Sequence, residues 1–398
     1  MRQRVVVIGH GFTSRLGIIR ALGMAGYDVT VIVVVVNMRR GKPDMTPPVD
    51  SYSKYVNQVH YCLPDGELLI KLLLDKCLDK KQKTVIIPDS DFSAAIIDRN
   101  QKRLEEGFLF PHINHTPGAV VEWMDKARQK AAAIQAGLNV ASGRLIHVAN
   151  GKYEIPTGIG YPCFVKPLVT LVGAKTGVGK CCSEEDLRID IDVMARKSPD
   201  ISVLVEDYID IAQEYALVGV SDGERVCIPG ILKMESFASG VHFGVAKRGS
   251  IVPLAGYEDL VERFKALVAR IGFTGIFDID FFESQGKFYF CEMNFRCGGS
   301  GYAYTRSGVN LPLMFVQAML GGPVDEKVRI KGEAIFVNER MCLDDWYSGF
   351  ISTREFKAVR KNCDISFISD KEDPRPEKVF RRVALGKGVK RVIKRIIK

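Results

Sequence analysis

The stretch GIFDIDFFESQGKFYFCEMN, residues 275–294, decides how this chain folds. Apolar residues alternate there with acidic or amide residues, and this period of two is typical of a β-strand. The residues SQG (284–286) predict a tight turn, so the stretch forms a hairpin. Residues two apart in a strand share a face, and the faces of the two strands meet across the hairpin. The polar residues brought together in this way are Asp278, Asp280, Glu292 and Asn294.

These side chains offer oxygen ligands, which suit Mg²⁺ or Mn²⁺ and not zinc. Mg²⁺ commonly takes one or two carboxylates and completes its coordination with phosphate oxygens, so a nucleotide phosphate is expected nearby. Arg296, two residues after Asn294, adds a planar cation for a phosphate or a carboxylate. The alternative is a solvated strand end with an ordinary ion pair, which the apolar flanks make the weaker interpretation.

The composition is that of a globular protein. The chain has 398 residues, 46% hydrophobic and 26% charged, and this length suits two or three domains. Its longest apolar run, 29–36, is too short to span a bilayer, and MRQRVVVIGHG (1–11) lacks the features of a signal peptide. The ten cysteines form no CxxC pair, which favours reduced thiols over zinc ligands or a catalytic cysteine. We therefore expect a cytoplasmic protein.

The net charge of +9 is concentrated in residues 378–398, which carry nine basic residues and no acid. The rest of the chain is close to neutral, so a nucleic-acid enzyme is not expected. Apolar residues recur at helical spacing in this tail, which predicts a basic amphipathic helix after a charged, proline-containing linker at 370–377. The helix is either solvated or in peripheral contact with anionic lipid at the inner face of a membrane.

Residues 4–118 alternate between strand and helix patterns, which predicts a Rossmann-like parallel sheet. The predicted strands are 5–8, 28–36 and 84–88, and the predicted helices are 16–25 and 68–78. Gly9, Gly11 and Gly17 match a dinucleotide fingerprint only loosely, because the third glycine comes six residues after the second. A nicotinamide oxidoreductase is therefore the weaker alternative. The carboxyl edge of this sheet, with DSD (89–91), suits a small substrate such as an acceptor amine.

A lysine ends a buried strand in the middle of the chain. YPCFVKP (161–167) is apolar up to Lys166, and a buried ammonium group requires an anion. LVGAKTGVGK (171–180) follows as a glycine turn, whose backbone N–H groups suit phosphate oxygens. A strong helix at 122–137 precedes the strand, and the strand segment VLVEDYID (203–210) follows the turn. These features predict a phosphate clamp.

The order of these features resembles the ATP-grasp superfamily over residues 119–325. CEMNFRCGGSGYAYTRSGVNLP (291–312) looks like the corresponding segment of carbamoyl-phosphate-synthase-type and D-amino-acid-ligase-type members. The nearest likeness is the carboxylate–amine ligase or D-aspartate ligase group. The resemblance implies an α/β and α+β architecture, in which a Rossmann-like parallel-sheet domain precedes a two-lobed ATP-grasp fold. The implied divisions are 1–118, 119–330 with lobes at 119–200 and 201–330, an extension at 331–377, and the basic tail at 378–398.

The resemblance also assigns roles around ATP. The residues implied to hold the ATP phosphates are Lys126, Lys166 and Gly173 of a closing loop at 171–179. Those implied to bind adenine and ribose are Glu206, Tyr208, Ile209 and Glu214. Those implied to bind Mg²⁺ or Mn²⁺ are Asp280, Glu292 and Asn294. Asp278 stays a rival metal ligand, because it has the same strand parity as Asp280.

Further roles concern the reacting groups. Arg296 is implied to stabilise the transferred phosphoryl group, and Arg306 is a candidate clamp for a substrate carboxylate. Candidates for the same substrate pocket are Lys233, His242, Lys247 and Arg248. Two departures from the family pattern concern loop geometry: Phe295 stands where a proline is usual, and Cys181 and Cys182 follow the glycine turn.

The function implied is an ATP-dependent carboxylate–amine ligase that forms an amide through an acyl phosphate and releases ADP and phosphate. One candidate reaction adds an amino acid such as D-aspartate to a cell-envelope precursor. The expected partners are a small carboxylate and an amine, and a homodimer is left open. The alternative is a non-catalytic ATP-binding sensor of the same fold, although a sensor need not retain every charged residue of the site.

Overall fold

The computed structural model describes residues 2–169, 177–237 and 246–397, with the backbone alone for 390–397. In this part of the chain the first element is a parallel sheet, here called the N-terminal sheet, in the order β5-β2-β1-β6-β7. Its strands are β1 (Arg4–Gly9), β2 (Asp28–Val34), β5 (Val56–Cys62), β6 (Thr84–Pro88) and β7 (Phe108–Leu109). A separate small hairpin follows β2 and consists of β3 (Met38–Arg39) and β4 (Lys42–Pro43).

Helices connect the strands of the N-terminal sheet as the alternating pattern predicts. They are α1 (Phe12–Met24), α2 (Gly66–Leu72), α3 (Asp91–Arg99) and α4 (Gln101–Leu104), with a 3-10 turn at Val49–Tyr52 and a wide turn at Leu73–Cys77. The chain adds β2 and β5 on one side of β1 and then β6 and β7 on the other. This reversal leaves a crevice at the carboxyl ends of β1 and β6, where ligands bind in open α/β sheets.

The helix predicted at 122–137 is two helices, α5 (Ala119–Trp123) and α6 (Lys126–Gln135). The break comes at Asp125, whose side chain accepts hydrogen bonds from the backbone N–H groups of Ala127 and Arg128. An aspartate in this position caps a new helix and does not continue an old one. Lys126 therefore becomes the first residue of α6.

A second sheet, here called the small sheet, has the order β10-β13-β11-β12 over the described residues. Its strands are β10 (Gly143–Val148), β11 (Cys163–Pro167), β12 (Gly179–Cys181) and β13 (Ile201–Asp207), and α7 (Glu184–Lys197) packs on it. Most of the predicted glycine turn, residues 171–176, lies outside the described residues. Lys166 lies near the end of β11, as the apolar run before it predicts.

The third sheet, here called the large sheet, has the described strand order β21-β20-β17-β16-β14-β18-β19-β9, with β15 beside β14 and β8 beside β18. Its early strands are β8 (His112–Ile113), β9 (Asn139–Val140), β14 (Gln213–Asp222), β15 (Val226–Cys227), β16 (Ile231–Phe237) and β17 (Ala246–Val252). The hairpin strands are β18 (Phe273–Ser284) and β19 (Lys287–Asn294), and the last two are β20 (Ala334–Val337) and β21 (Ile365–Ser366). Gln285 and Gly286 both have positive φ, as a tight hairpin turn requires.

The remaining helices lie in the second half of the chain. They are α8 (Glu258–Ile271), α9 (Tyr302–Arg306), α10 (Leu311–Met319), α11 (Glu339–Ser348), α12 (Thr353–Lys361) and α13 (Pro374–Ile397). Of these, α8, α10 and α11 pack against strands of the large sheet. Helix α13 begins inside the stretch predicted to be a linker, because proline is well tolerated in the first turn of a helix. Among the described residues, no helix has the length and hydrophobicity to cross a bilayer.

Candidate active site

A cavity of about 1470 Å³ lies where the three sheets meet. Polar residues that line it at the N-terminal sheet edge include His10, Asp89 and Asp91. The small sheet contributes Lys166, Lys180 and Glu206 among others, and polar lining residues of the large sheet include Glu214, Asp278, Asp280, Glu292 and Asn294. Segments far apart in the chain therefore bring most of the predicted site residues to one place.

The hairpin register brings the predicted polar face together. Asp278 lies opposite Asn294 and Asp280 lies opposite Glu292, with the Asn294 Nδ2 donating to Asp280 Oδ2 at 3.4 Å. The register shifts immediately after Asp280, where Cys291 is the extra residue of a β-bulge. Apolar neighbours on these strands, such as Ile279 and Met293, belong to the buried core. The alternation in the sequence thus places oxygen atoms on one face and hydrocarbon on the other.

The chemistry of this set fits a divalent cation that is shared with phosphate. Among the described residues, no group of three or more histidine, cysteine or acidic side chains is arranged to hold a metal alone. Asp280, Glu292 and Asn294 offer two carboxylates and an amide, which is the small protein share that Mg²⁺ takes when phosphates complete its shell. The described residues of the site therefore do not form a complete metal-binding site without phosphate.

Asp278 and Arg296 form an ion pair that separates Asp278 from the rest of the acidic set. Arg296 Nη1 lies 3.3 Å from Asp278 Oδ2, and Arg296 Nε lies 3.1 Å from Asp91 Oδ1. Burial raises the pKa of Asp278 to about 6, while the Arg296 guanidinium opposes this rise. Arg296 thus bridges the large sheet and the N-terminal sheet edge, 205 residues apart in the chain.

Three lysines of the site each lie close to a carboxylate. Lys126 Nζ is 3.3 Å from Glu292 Oε2, and Lys166 Nζ is 2.9 Å from Glu206 Oε2. Lys130 binds the other oxygen of Glu206 and also donates to the backbone carbonyl of Ala141 at 2.8 Å. Glu206 was predicted to contact adenine. It does line the cavity, but its carboxylate faces two lysines, which the prediction did not include.

Lys130 and Gln129 are site residues that the sequence interpretation missed. Lys130 follows Lys126 by four residues, so one helical face carries both, and this spacing was the available signal. Gln129 Nε2 donates to the Met293 carbonyl at 2.9 Å, and the Met293 N–H donates to Gln129 Oε1 at 2.8 Å. This pair of hydrogen bonds fixes α6 to β19, and so fixes Lys126 relative to Glu292.

The predicted adenine and ribose residues Tyr208, Ile209 and Glu214 all line the cavity. Lys180 Nζ lies 3.9 Å from the ring centroid of Tyr208, a cation–π contact. Gly173 and His242 lie outside the described residues. Of the predicted closing loop, Gly177, Val178 and Gly179 are described, and the last two line the cavity.

Several predicted substrate residues are not among those that line the cavity. Arg306 Nη1 lies 3.7 Å from Asp370 Oδ2 and is 43% exposed, so its charge is directed to a C-terminal acid. Lys247 forms a buried ion pair with Asp345 at 2.8 Å. The two remaining predicted residues are Arg248, which pairs with Glu235, and Lys233, whose neighbours Leu232 and Met234 line the cavity instead.

The glycines at the start of the chain have packing roles. A Cβ on Gly9 would overlap the Asp89 carboxylate, and a Cβ on Gly17 would lie 2.8 Å from the Tyr302 Cβ. Close packing therefore explains two of the three glycines, and dinucleotide binding is not needed to explain them. The two cysteines that line the cavity are unsuitable nucleophiles, because burial raises the pKa of Cys291 and of Cys297 to about 12 and disfavours their thiolates.

Comparison with known proteins agrees with this geometry. Residues 125–326 match the family model described as "Carbamoyl-phosphate synthase L chain, ATP binding domain". The chain is 27% identical over 349 residues to the carbamoyl phosphate synthase large chain of Thermotoga maritima, covering 81% of this chain and 30% of that protein. It spans between 19% and 30% of the length of such large chains.

Solved structures share the fold at low identity. The L-amino acid ligase of Bacillus licheniformis matches with a TM-score of 0.59 at 17% identity, covering 84% of this chain and 79% of that one. The biotin carboxylase domain of Hydrogenobacter thermophilus 2-oxoglutarate carboxylase, solved with MgADP, ADP and bicarbonate, matches with a TM-score of 0.62 at 20% identity. It covers 84% of this chain and 74% of that one. The predicted fold class and superfamily are confirmed, and the chain belongs to the ATP-grasp family of carbamoyl-phosphate synthase ATP-binding domains.

Proposed function

We propose that this protein is an ATP-dependent carboxylate–amine ligase. The observation that carries the proposal is the single cavity in which lysines, a set of two carboxylates and an amide, and an arginine from different sheets lie together. Phosphoryl transfer needs this combination, because its catalysis consists of positioning and of neutralising charge.

Each group has a task in the proposed reaction. Lys126 and Lys166 neutralise the ATP phosphates, and both already lie beside carboxylates that hold their ammonium groups in the cavity. Asp280, Glu292 and Asn294 hold Mg²⁺, which when bound neutralises phosphate charge. Asp278 is the weaker metal candidate of the two aspartates, because it pairs with Arg296.

The order of chemical steps follows from the substrates. A carboxylate is a poor acyl donor because its oxide is a poor leaving group, and phosphorylation by ATP supplies a better one. Arg296 stabilises the transferred phosphoryl group, and the amine then attacks the acyl carbon while phosphate leaves. Water has to be kept from this intermediate, because it would otherwise hydrolyse the acyl phosphate.

The substrate class is proposed from the neighbours of this fold. One structural relative is an L-amino acid ligase, so we propose an amino acid or similar small carboxylate as one substrate and an amine as the other. Addition of D-aspartate to a cell-envelope precursor is one reaction of this class. The alternative is a non-catalytic ATP sensor. Such a sensor would need the groups that bind ATP but no groups that bind a carboxylate substrate.

The basic helix α13 supports a proposal about location. Leu385 and Val389 are 72% and 61% exposed and lie one helical turn apart, with Arg381, Arg382 and Lys387 nearby. Exposed apolar residues among basic ones suit a surface of anionic lipid. We propose that this helix lets the protein contact the inner face of a membrane peripherally.

The test is Mg²⁺-dependent release of ADP in the presence of pooled amino acids and amines. We expect release that requires an acid–amine pair and that falls at least a hundredfold in Glu292→Ala. The matched control is Glu262→Ala, because Glu262 is 68% exposed and pairs with Lys265 on the same helix, α8. Unchanged release in Glu292→Ala would contradict the assignment of the metal site, and tight ATP binding without release under any pool would favour the sensor.

A further inference from the structure

The cavity contains a buried carboxylate that the ATP-binding roles do not use. Asp89 directly follows β6, at the crevice where the strand order of the N-terminal sheet reverses. It is 6% exposed, and it lines the cavity. Neither carboxylate oxygen of Asp89 has a hydrogen-bond partner. A buried polar group of this kind requires an explanation, since most such groups are satisfied.

The nearby arginine does not satisfy Asp89. Arg15 directs its guanidinium to Asp50, with distances of 2.8 and 3.3 Å, and to the backbone carbonyl of Gly9. Its Nη1 lies 3.8 Å from Asp89 Oδ2, which is an ion-pair distance but not a hydrogen bond. Asp50 thus already neutralises Arg15, and Asp89 keeps its capacity to accept a donor.

The position of Asp89 is fixed by its surroundings. Its backbone N–H donates to the Ile8 carbonyl, and the space beside its carboxylate exists only because residue 9 is glycine. Ser90, the next residue, caps α3 by accepting a hydrogen bond from the Ser93 N–H. The carboxylate is therefore held rigidly at the cavity wall.

The charges at this end of the cavity favour a cation. The guanidinium groups of two arginines face four carboxylates, and the members of this cluster are Arg15, Arg296, Asp50, Asp89, Asp91 and Asp278. His10 adds no positive charge at neutral pH, because burial and Arg15 lower the pKa of its imidazole. Tyr61 also lies near Arg15, and burial raises the pKa of its hydroxyl. With the acids ionised, the carboxylates outnumber the cations by two, so an ammonium group fits here and an anion does not.

We propose that Asp89 binds the ammonium group of the acceptor amine and removes its proton before the amine attacks the acyl phosphate. This inference rests on the ligase function proposed above. The Asp89 carboxylate takes a proton from the ammonium, and the freed nitrogen lone pair forms the C–N bond while the C–O bond to phosphate breaks. The second proton on nitrogen goes to the departing phosphate, and Asp89 returns its proton to water after the product leaves.

The acid–base properties of Asp89 suit this role. Burial raises the pKa of Asp89 to about 7, and the charge of Arg15 only partly opposes the rise. A general base is most effective when its pKa lies near the working pH. Asp91, two residues further on, is unsuited to the same task because Arg296 already binds it.

The test compares two nucleophiles in Asp89→Asn, which keeps the shape of the side chain and removes its charge and basicity. Hydroxylamine is largely unprotonated at neutral pH and attacks acyl phosphates without a base. We expect hydroxylamine-dependent hydroxamate formation and ADP release to stay within about threefold of wild type. Turnover with the pooled amines should fall roughly a hundredfold or more, the usual effect of losing a general base. Raising the pH should partly restore amine turnover in the variant.

Asp98→Asn is the matched control, because Asp98 is a buried acid of the same N-terminal region that is hydrogen-bonded and does not line the cavity. We expect Asp98→Asn to leave the ratio of turnover with hydroxylamine to turnover with the pooled amines unchanged. Equal loss with hydroxylamine and amines in Asp89→Asn would assign Asp89 a structural role and overturn the inference. Asp89→Ser gives the same test if the asparagine variant does not fold. Absence of wild-type turnover with either nucleophile would instead contradict the ligase function. ADP release that requires bicarbonate but no amine would mean that the Asp89 end of the cavity binds an anion, and it would overturn the inference.

Discussion

At the scale of single residues, the site contains acids whose surroundings differ although their sequence contexts are alike. Asp278 and Asp280 have the same strand parity, but Asp278 accepts a hydrogen bond from Arg296 and Asp280 accepts one from Asn294. Asp89 and Asp91 flank one serine, but only Asp91 is paired with Arg296. Strand alternation predicts which face a side chain occupies. It does not predict which partner from a distant segment arrives there.

The buried charge of Asp89 makes stability depend on pH. Its pKa is about 7 when folded and near 3.9 when unfolded, so the unfolded state releases the proton more readily. This group therefore contributes no destabilisation below pH 4 and destabilises the fold increasingly up to about pH 7, by roughly 4 kcal/mol at most. We expect Asp89→Asn to match wild type in unfolding free energy at pH 4 and to exceed it at pH 8. Urea unfolding at both pH values measures this, and an equal difference at the two would contradict the assigned pKa.

At the scale of elements, the break between α5 and α6 shows where a sequence pattern is insufficient. Helical periodicity continues through EWMDKARQ, and the break depends on whether Asp125 accepts backbone hydrogen bonds as a cap. The contact of Gln129 with Met293 joins segments 164 residues apart and has no local signature. By contrast, the β18–β19 hairpin could be predicted from its alternation and its turn, because both are local.

Gln129→Ala tests this link between elements. It leaves the Met293 N–H and carbonyl without their side-chain partner in a buried place, and each lost partner costs roughly 1–3 kcal/mol. We expect the unfolding free energy to fall by about 2–6 kcal/mol and the KM for ATP to rise, because α6 also carries Lys126. Chemical denaturation and steady-state kinetics measure the two effects. The exposed Gln135→Ala on the same helix is the control, and a similar loss there would show that only helix propensity had changed.

At the scale of the whole molecule, the two ends of the chain are joined by a buried ion pair. Arg20 Nε lies 3.0 Å from Asp373 Oδ2, and the same guanidinium donates to the carbonyls of Phe367 and Ile368. Asp373 also accepts hydrogen bonds from Ser53 Oγ and the Lys54 N–H. Contacts over such sequence distances cannot be predicted from one sequence, although the parallel sheet and the hairpin that frame the cavity could be.

Arg20→Met should destabilise the whole molecule, because it leaves Asp373 buried without its cation. We expect a loss of about 3–5 kcal/mol in unfolding free energy, as for other broken buried pairs. Arg103→Met removes an exposed pair with Glu67 and should cost no more than about 1 kcal/mol. Thermal and urea unfolding compare the two variants. Similar losses would show that the buried pair contributes little to holding the chain ends together.

The membrane contact proposed for α13 is tested by sedimentation with vesicles. We expect the full chain to bind vesicles of phosphatidylcholine with phosphatidylserine and not vesicles of phosphatidylcholine alone, and to be released at high salt. Replacing Leu385 and Val389 by serine should weaken binding about tenfold or more, since buried apolar area is lost. The control variant is Leu68→Ser, an exposed leucine on α2. Binding that ignores lipid charge would contradict the proposal.

The large sheet takes strands from outside the segment that matches the family model. β8 pairs with β18 from before residue 125, and β20 and β21 extend the sheet beyond residue 326. Without its later partner, β17 would present an open edge on which other chains could add strands. A fragment limited to residues 125–326 would therefore lack strands that complete the large sheet. An exchange of this domain between relatives has to include the flanking segments on both sides.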